Sequence, residues 1–164
     1  MTHPDSWLRG PVPGIDPMLQ PAAHSLLHSR EELDRLAPLI PADALWTKPG
    51  GAASIGWHLK HLAGSTDRLM SYARGEQLSD EQKARLTAES HDDPAASVAE
   101  LLARAKAVLQ AGLVQLEATA TASLTEPRAI GRAQLPTTVI GCLFHAAEHA
   151  YRHVGQLATT IRQL

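Results

Sequence analysis

The chain has 164 residues, nine of them histidine, with 15 Lys and Arg against 17 Asp and Glu for a formal net charge of −2. That balance lacks the basic excess of a nucleic-acid-binding surface, the single cysteine rules out an internal disulfide, and no apolar run approaches the roughly 20 residues of a membrane span. Ala and Leu dominate while aromatic residues make up only 4%, so the expectation is an all-α domain in a reducing, cytoplasmic setting.

Residues 1–15 are rich in Pro and Gly and read as an extended arm ahead of a single domain over 16–164. The start, Met1 to Gly14, lacks the apolar stretch of a signal peptide. Asp16 followed by Pro17 is a helix-start signal, and Leu19, Ala23, Leu26, Leu27, Leu33 and Leu36 follow at helical spacing, which predicts a helix over Asp16–Leu36 closed by Pro38 and Pro41. His24 and His28 on it read as polar face. Thr47 to Gly51 is a loop, over which Trp46 and Trp57 are expected to pack. Ser54 caps a second helix, Ser54–Arg74, with Ile55, Leu59, Leu62, Leu69, Met70 and Ala73 along one face and Gly75 just past its end. Ser79 to Ser90 reads as a short polar helix anchored by Leu86. Asp93-Pro94 repeats the start signal for a third long helix, Pro94–Ala118, carrying Val98, Leu101, Leu102, Ala105, Leu109, Leu113 and Leu116. Thr119 to Pro136 reads as a connector, and Thr137 or Thr138 caps the last helix, Thr138–Ile161. Four long amphipathic helices and one short one predict a four-helix bundle with no sheet.

The last helix concentrates the chemistry. His145, His149 and His153 recur every fourth residue and share one stripe. Imidazoles four apart lie about 6 Å apart and can hold one ion, offering neutral lone pairs near pH 7. A pair on one helix is not a complete site. A third ligand must come from another helix, and His58 and His61 on the second are the candidates. Small residues follow His61 (Leu-Ala-Gly-Ser), leaving room for a neighbouring helix to approach. The segment His145-Ala-Ala-Glu148-His149 also matches the inverted zincin motif H-x-x-E-H, but only 15 residues follow His149 and none is Asp or Glu, so the downstream acidic ligand of that motif is missing. Glu148 remains a candidate general base or a partner to the ligands. Cys142, two turns before His149, reads as core. Arg68, two turns after His61, reads as half of a salt bridge or as an anion holder.

Three stretches resemble the DinB/YfiT-like metalloenzyme family: Gly51 to Ser65 with its Trp57-His-Leu-Lys-His61-Leu-Ala core, Leu135 to Gly141, and His145 to Gln156 with its H-x-x-x-H-x-G-Q ending. The resemblance runs from about Leu19 to the end of the chain. It implies a four-helix bundle in up-down-down-up order and a divalent metal on one histidine of the second helix and the H-x-x-x-H pair of the last. Those roles fall on His61, His149 and His153. It further implies a homodimer; three imidazole donors make zinc or nickel the first candidates, with iron, manganese or cobalt as others, and do not choose among them. His58 stays an alternative to His61, and His145 a fourth ligand, a proton shuttle or a bystander.

Three imidazoles leave at least one coordination position open, as catalytic sites do. The expected function is therefore a metal-dependent enzyme acting on a small-molecule substrate, with no nucleic-acid or membrane partner. Its nucleophile would be water or a low-molecular-weight thiol, and His145 or Glu148 would move the proton. A distant similarity of the family to thiol S-transferases favours the thiol. The alternatives are a metal-dependent hydrolase and a metal-stabilised binding or scaffold module.

Overall fold

The structure is a computed structural model and describes residues 4–164. Five α-helices account for most of it: α1 (Gln20–Leu36), α2 (Ile55–Ala73), α3 (Asp80–Ala88), α4 (Val98–Ala118) and α5 (Val139–Arg162). Among the described residues no helix is long and apolar enough to cross a membrane.

Cross-helix contacts fix the topology. Arg30 bonds Gln110 and Lys106 bonds Asp34, so α1 and α4 are antiparallel. Met70 faces Gly112 and Arg74 bonds Gln115, so α2 and α4 run the same way. His58 meets His153 and His61 meets His149, which makes α5 antiparallel to α2. The long helices therefore run up (α1), down (α2), down (α4) and up (α5), the order the family resemblance implies. α1 and α2 sit diagonally opposite, and the 18-residue connection 37–54 passes across one end of the bundle. The core between them is aliphatic, with Leu26, Leu33, Leu59, Leu62, Leu109, Leu116, Leu143 and Leu157 all fully buried.

The helix starts show how local chemistry sets these elements. Ser54 Oγ accepts the N–H of Trp57, and Thr138 Oγ1 accepts that of Gly141, each satisfying an orphan first-turn donor. Asp16 caps a 3-10 turn, Pro17–Leu19, rather than α1 itself. The predicted start at Pro94 is displaced. Asp93 instead closes a turn onto Ala95 and Ala96, and α4 begins after Ser97, which forms a reciprocal capping box with Glu100. Residues 4–15 run back along α1, where the buried Ser6 donates to the His24 carbonyl and Gln20 ties down Val12 and Ile15.

One expectation fails. The connector before α5 contains a small antiparallel hairpin, β1 (Pro127–Ile130) with β2 (Leu135–Thr138), in the register Pro127↔Thr138 to Ile130↔Leu135. Its prolines argue against a strand, yet in a two-stranded ribbon both strands are edges and a missing N–H can face outward. The hairpin fixes α5. Arg128 Nε donates to the Ala73 carbonyl at the end of α2, and the N–H groups of Val139 and Ile140 bond back to Glu126 and Leu124. The rotation of α5, and with it the direction of its histidines, is thereby set against α2.

Candidate metal centre

His61 on α2 and His149 and His153 on α5 converge, each offering a ring nitrogen within 4.8 Å of the others. The Nε2 atoms of His61 and His149 are 3.0 Å apart. Two imidazole nitrogens on one tetrahedral zinc, each about 2.0–2.1 Å from it, would be separated by roughly 3.3 Å. The ring centroids of the three lie 4.5–5.2 Å from one another. The four-residue spacing along α5 and the antiparallel run of α2 are sufficient to bring them together.

Burial pushes the pKa of His149 down to about 4, with nearby His61 and the cationic Arg152 adding to the shift. Burial likewise pushes His153 down to about 3, helped by His149, His61 and His58. Near neutral pH both rings are uncharged, and each has a lone pair to give. The donor set therefore fits a divalent ion of the zinc or nickel kind; imidazoles alone do not choose among transition metals.

Each ring has a partner at its Nδ1 atom. Glu89, at the C-terminal end of α3, lies 2.9 Å from His61 Nδ1. It also receives a buried pair of hydrogen bonds from Arg68, at 2.5 and 3.3 Å. Burial alone would raise the Glu89 carboxyl, but the hydrogen bonds of His61 and Arg68 hold it below the ordinary carboxylate range. An anionic carboxylate can only accept, so His61 carries its proton on Nδ1 and presents the Nε2 lone pair inward. His58 is buried, and its Nδ1 sits 3.1 Å from Nδ1 of His153. It thus stands behind His153, and the contact engages Nδ1 of that ring rather than Nε2. Arg152 places Nη2 2.9 Å from Nδ1 of His149.

His145 and Glu148, the predicted proton carriers, pair with each other at 2.8 Å on the outer side of α5. His145 is exposed and Glu148 half-buried, and Arg152 also bonds Glu148 at 3.1 Å. Together with His149 they form a second cluster with ring and carboxylate atoms within 4.8 Å of one another. A cavity of about 600 Å³ reaches the cluster at His153, lined by Trp57, His58, Arg152, His153, Gly155 and Gln156 among others, but not by His61, His149, His145 or Glu148. Gly155 opens onto free space, with no atom within 4 Å of where a Cβ would stand. Trp57 departs from its expected place over the loop: its indole stacks on the His61 ring at 4.7 Å, nearly parallel at 9°. Trp46 does pack beside that loop, filling the space over Gly56 with Lys60 5.5 Å above its ring.

The remaining sequence candidates stay out of the centre. Cys142 is buried in the core, and burial pushes its thiol up, away from thiolate chemistry. His24 bonds the Gly10 carbonyl and His28 lies against Tyr151. Arg68 forms the salt bridge with Glu89. The residue missing from the sequence reading is Glu89. It ends a helix with no buried residue of its own, so periodicity gives no hint of it; the faint signal is Gly64, whose missing side chain makes room for the carboxylate.

The sequence model of the DinB superfamily matches residues 25–157, a stretch that takes in most of α1, all of α2 to α4, most of α5 and every histidine of the centre. A comparison with curated proteins gives no match.

Proposed function

Because the chain belongs to the DinB superfamily, with the match covering residues 25–157, we propose that it is a metal-dependent enzyme in which His61, His149 and His153 hold one divalent ion and a thiol or water serves as nucleophile. The observation that carries this reading is the convergence of three imidazoles, two of them with strongly lowered pKa values, beside an open cavity of about 600 Å³. A divalent ion there would supply Lewis acidity, bringing the pKa of a thiol or water into the neutral range.

The chain's own residues do the rest. Glu89 and His58 orient His61 and His153 from behind. Trp57 covers one face of His61 and keeps bulk water off the ring. The cavity over Gly155 receives a small-molecule electrophile, with Arg152, Gln156 and Thr159 as hydrogen-bonding groups along its wall. His145, paired with Glu148 and next to His149, takes up the released proton from outside the cavity and passes it to solvent. The one cysteine, Cys142, is buried in the core and does not line the cavity, so a thiol nucleophile would come from outside the chain. Similarity of the family to thiol transferases favours a low-molecular-weight thiol.

The test incubates zinc- or nickel-loaded protein with a generic electrophile and glutathione, bacillithiol, mycothiol or no thiol. Thiol-dependent turnover that disappears in His149→Ala supports the transferase. Turnover without thiol identifies a hydrolase. No turnover with any nucleophile identifies a metal-stabilised binding module.

A further inference from the structure

Helix α3 has no apolar reason to be where it is. None of its residues Asp80–Ala88 is buried. It is held to α2 by polar contacts at its two ends. At the first, Gln82 Nε2 donates to Asp67 Oδ2 at 3.0 Å and to Ser71 Oγ at 2.8 Å. At the second, Lys60 donates to the carbonyls of Ala88 and His91. Just past α3, Glu89 turns inward, and its side chain is only 8% exposed. One carboxylate oxygen faces His61 Nδ1 at 2.9 Å and both engage the Arg68 guanidinium. Gly64, one turn after His61, leaves the space the carboxylate occupies.

We propose that Glu89 is a positioning residue for the metal centre: anchored by Arg68, its carboxylate holds His61 with the proton on Nδ1 and Nε2 turned toward His149, and so couples the docking of α3 to metal loading. This rests on His61 being a ligand. A histidine ligand whose second nitrogen donates to a carboxylate is fixed in ring orientation and tautomer and gains basicity, and loss of such a partner typically lowers metal affinity 10- to 100-fold. Arg68 serves the arrangement by donating to both carboxylate oxygens and so fixing their direction. The coupling is reciprocal, because whatever tightens His61 also tightens the carboxylate it bonds and the helix that carries it.

The experiment measures zinc affinity of the full chain by competition with a chromophoric chelator, for wild type, Glu89→Gln and Glu89→Asp. It adds ¹⁵N NMR of the His61 ring in metal-free protein and amide exchange across 80–91. Glu89→Asp keeps the charge beside Arg68 but withdraws the oxygen from His61, so it reports even where Glu89→Gln folds poorly. The expected result is affinity 10- to 100-fold weaker in both variants at one ion per chain. The His61 ring of wild type should be the Nδ1–H tautomer, that of the variants a mixture. Zinc should slow exchange across 80–91 in wild type and not in the variants. Affinity within twofold of wild type in a folded variant, with the tautomer unchanged, overturns the proposal while leaving the metal centre standing. Wild type that binds no zinc or nickel overturns the metal centre instead. The ring tautomers then decide separately whether Glu89 positions His61.

Discussion

Substituting Gly64 by alanine sets two effects of opposite sign against each other. Gly64 lies within α2, where alanine is favoured by about 1 kcal/mol on helix propensity alone. The added Cβ would overlap Oε1 of Glu89 and stand 2.7 Å from a guanidinium nitrogen of Arg68. Both atoms end flexible side chains, but neither is free to swing away, because Arg68 and Glu89 are only 9% and 8% exposed and are bonded to each other. Breaking a buried ion pair outright costs about 3–5 kcal/mol; displacing one partner without removing it forfeits part of that, roughly 2–3 kcal/mol. The net expectation is a loss of about 1–2 kcal/mol, or a fall in Tm of several degrees for a domain of this size. Urea unfolding followed by circular dichroism measures it. A double-mutant cycle isolates the cause: in a Glu89→Ala background the carboxylate is gone, and Gly64→Ala should turn stabilising by about 1 kcal/mol. A single Gly64→Ala variant as stable as wild type, or more so, would refute the claim that Glu89 is packed tightly against this turn of α2.

Other outcomes are equally definite. His149→Ala should abolish tight metal binding, and His61→Ala and His153→Ala should weaken it strongly while His24→Ala does not; elemental analysis of protein purified without a nickel column reads this, and chelator should lower the Tm of wild type. Metal-stripped protein should lose stability as pH falls from 6.5 toward 4. The unfolded chain then protonates two histidines that the native state keeps neutral down to about 4 and about 3. The slope reaches up to about 2.7 kcal/mol per pH unit and should flatten in a His149→Ala/His153→Ala variant; urea midpoints at several pH values test it. Arg152 can only donate, so its contact with Nδ1 of His149 favours the tautomer that leaves no lone pair on Nε2. Arg152→Gln, able to accept there, should bind zinc several-fold more tightly in chelator competition; weaker binding would contradict this. Gly155→Leu should fill the cavity and abolish turnover with metal affinity unchanged, and full activity in that variant would locate the substrate elsewhere.

The bundle was legible because its signals are local and repeated. Leucines at helical spacing, Ser54 and Thr138 at helix starts and Gly75 past the end of α2 each act within a few residues. The histidine stripe of α5 was legible for the same reason. What escaped depends on contacts made far along the chain. Glu89 meets His61 across 28 residues and belongs to a helix with no apolar face. Trp57 reads as a loop-covering residue until the helical turn from 57 to 61 sets its indole on the His61 ring. The hairpin hid behind Pro127 and Pro136, and Asp93-Pro94 reads as a helix start although the pair that caps α4 is Ser97 and Glu100.

The separation between the two halves of the histidine cluster has a consequence for the chain as a polymer. His61 and His149 are 88 residues apart in sequence. An ion bridging them closes a loop of that length, much as a disulfide would, and on chain-entropy grounds a permanent link over a 100-residue loop is worth about 4.7 kcal/mol. A bound ion gives less, because the unfolded chain keeps His149 and His153 only four residues apart and retains some hold on the metal. Unlike a disulfide, such a tie would be made and broken by metal supply and pH rather than by redox poise, so metal binding here would give a chain with one buried cysteine a reversible long-range staple between α2 and α5.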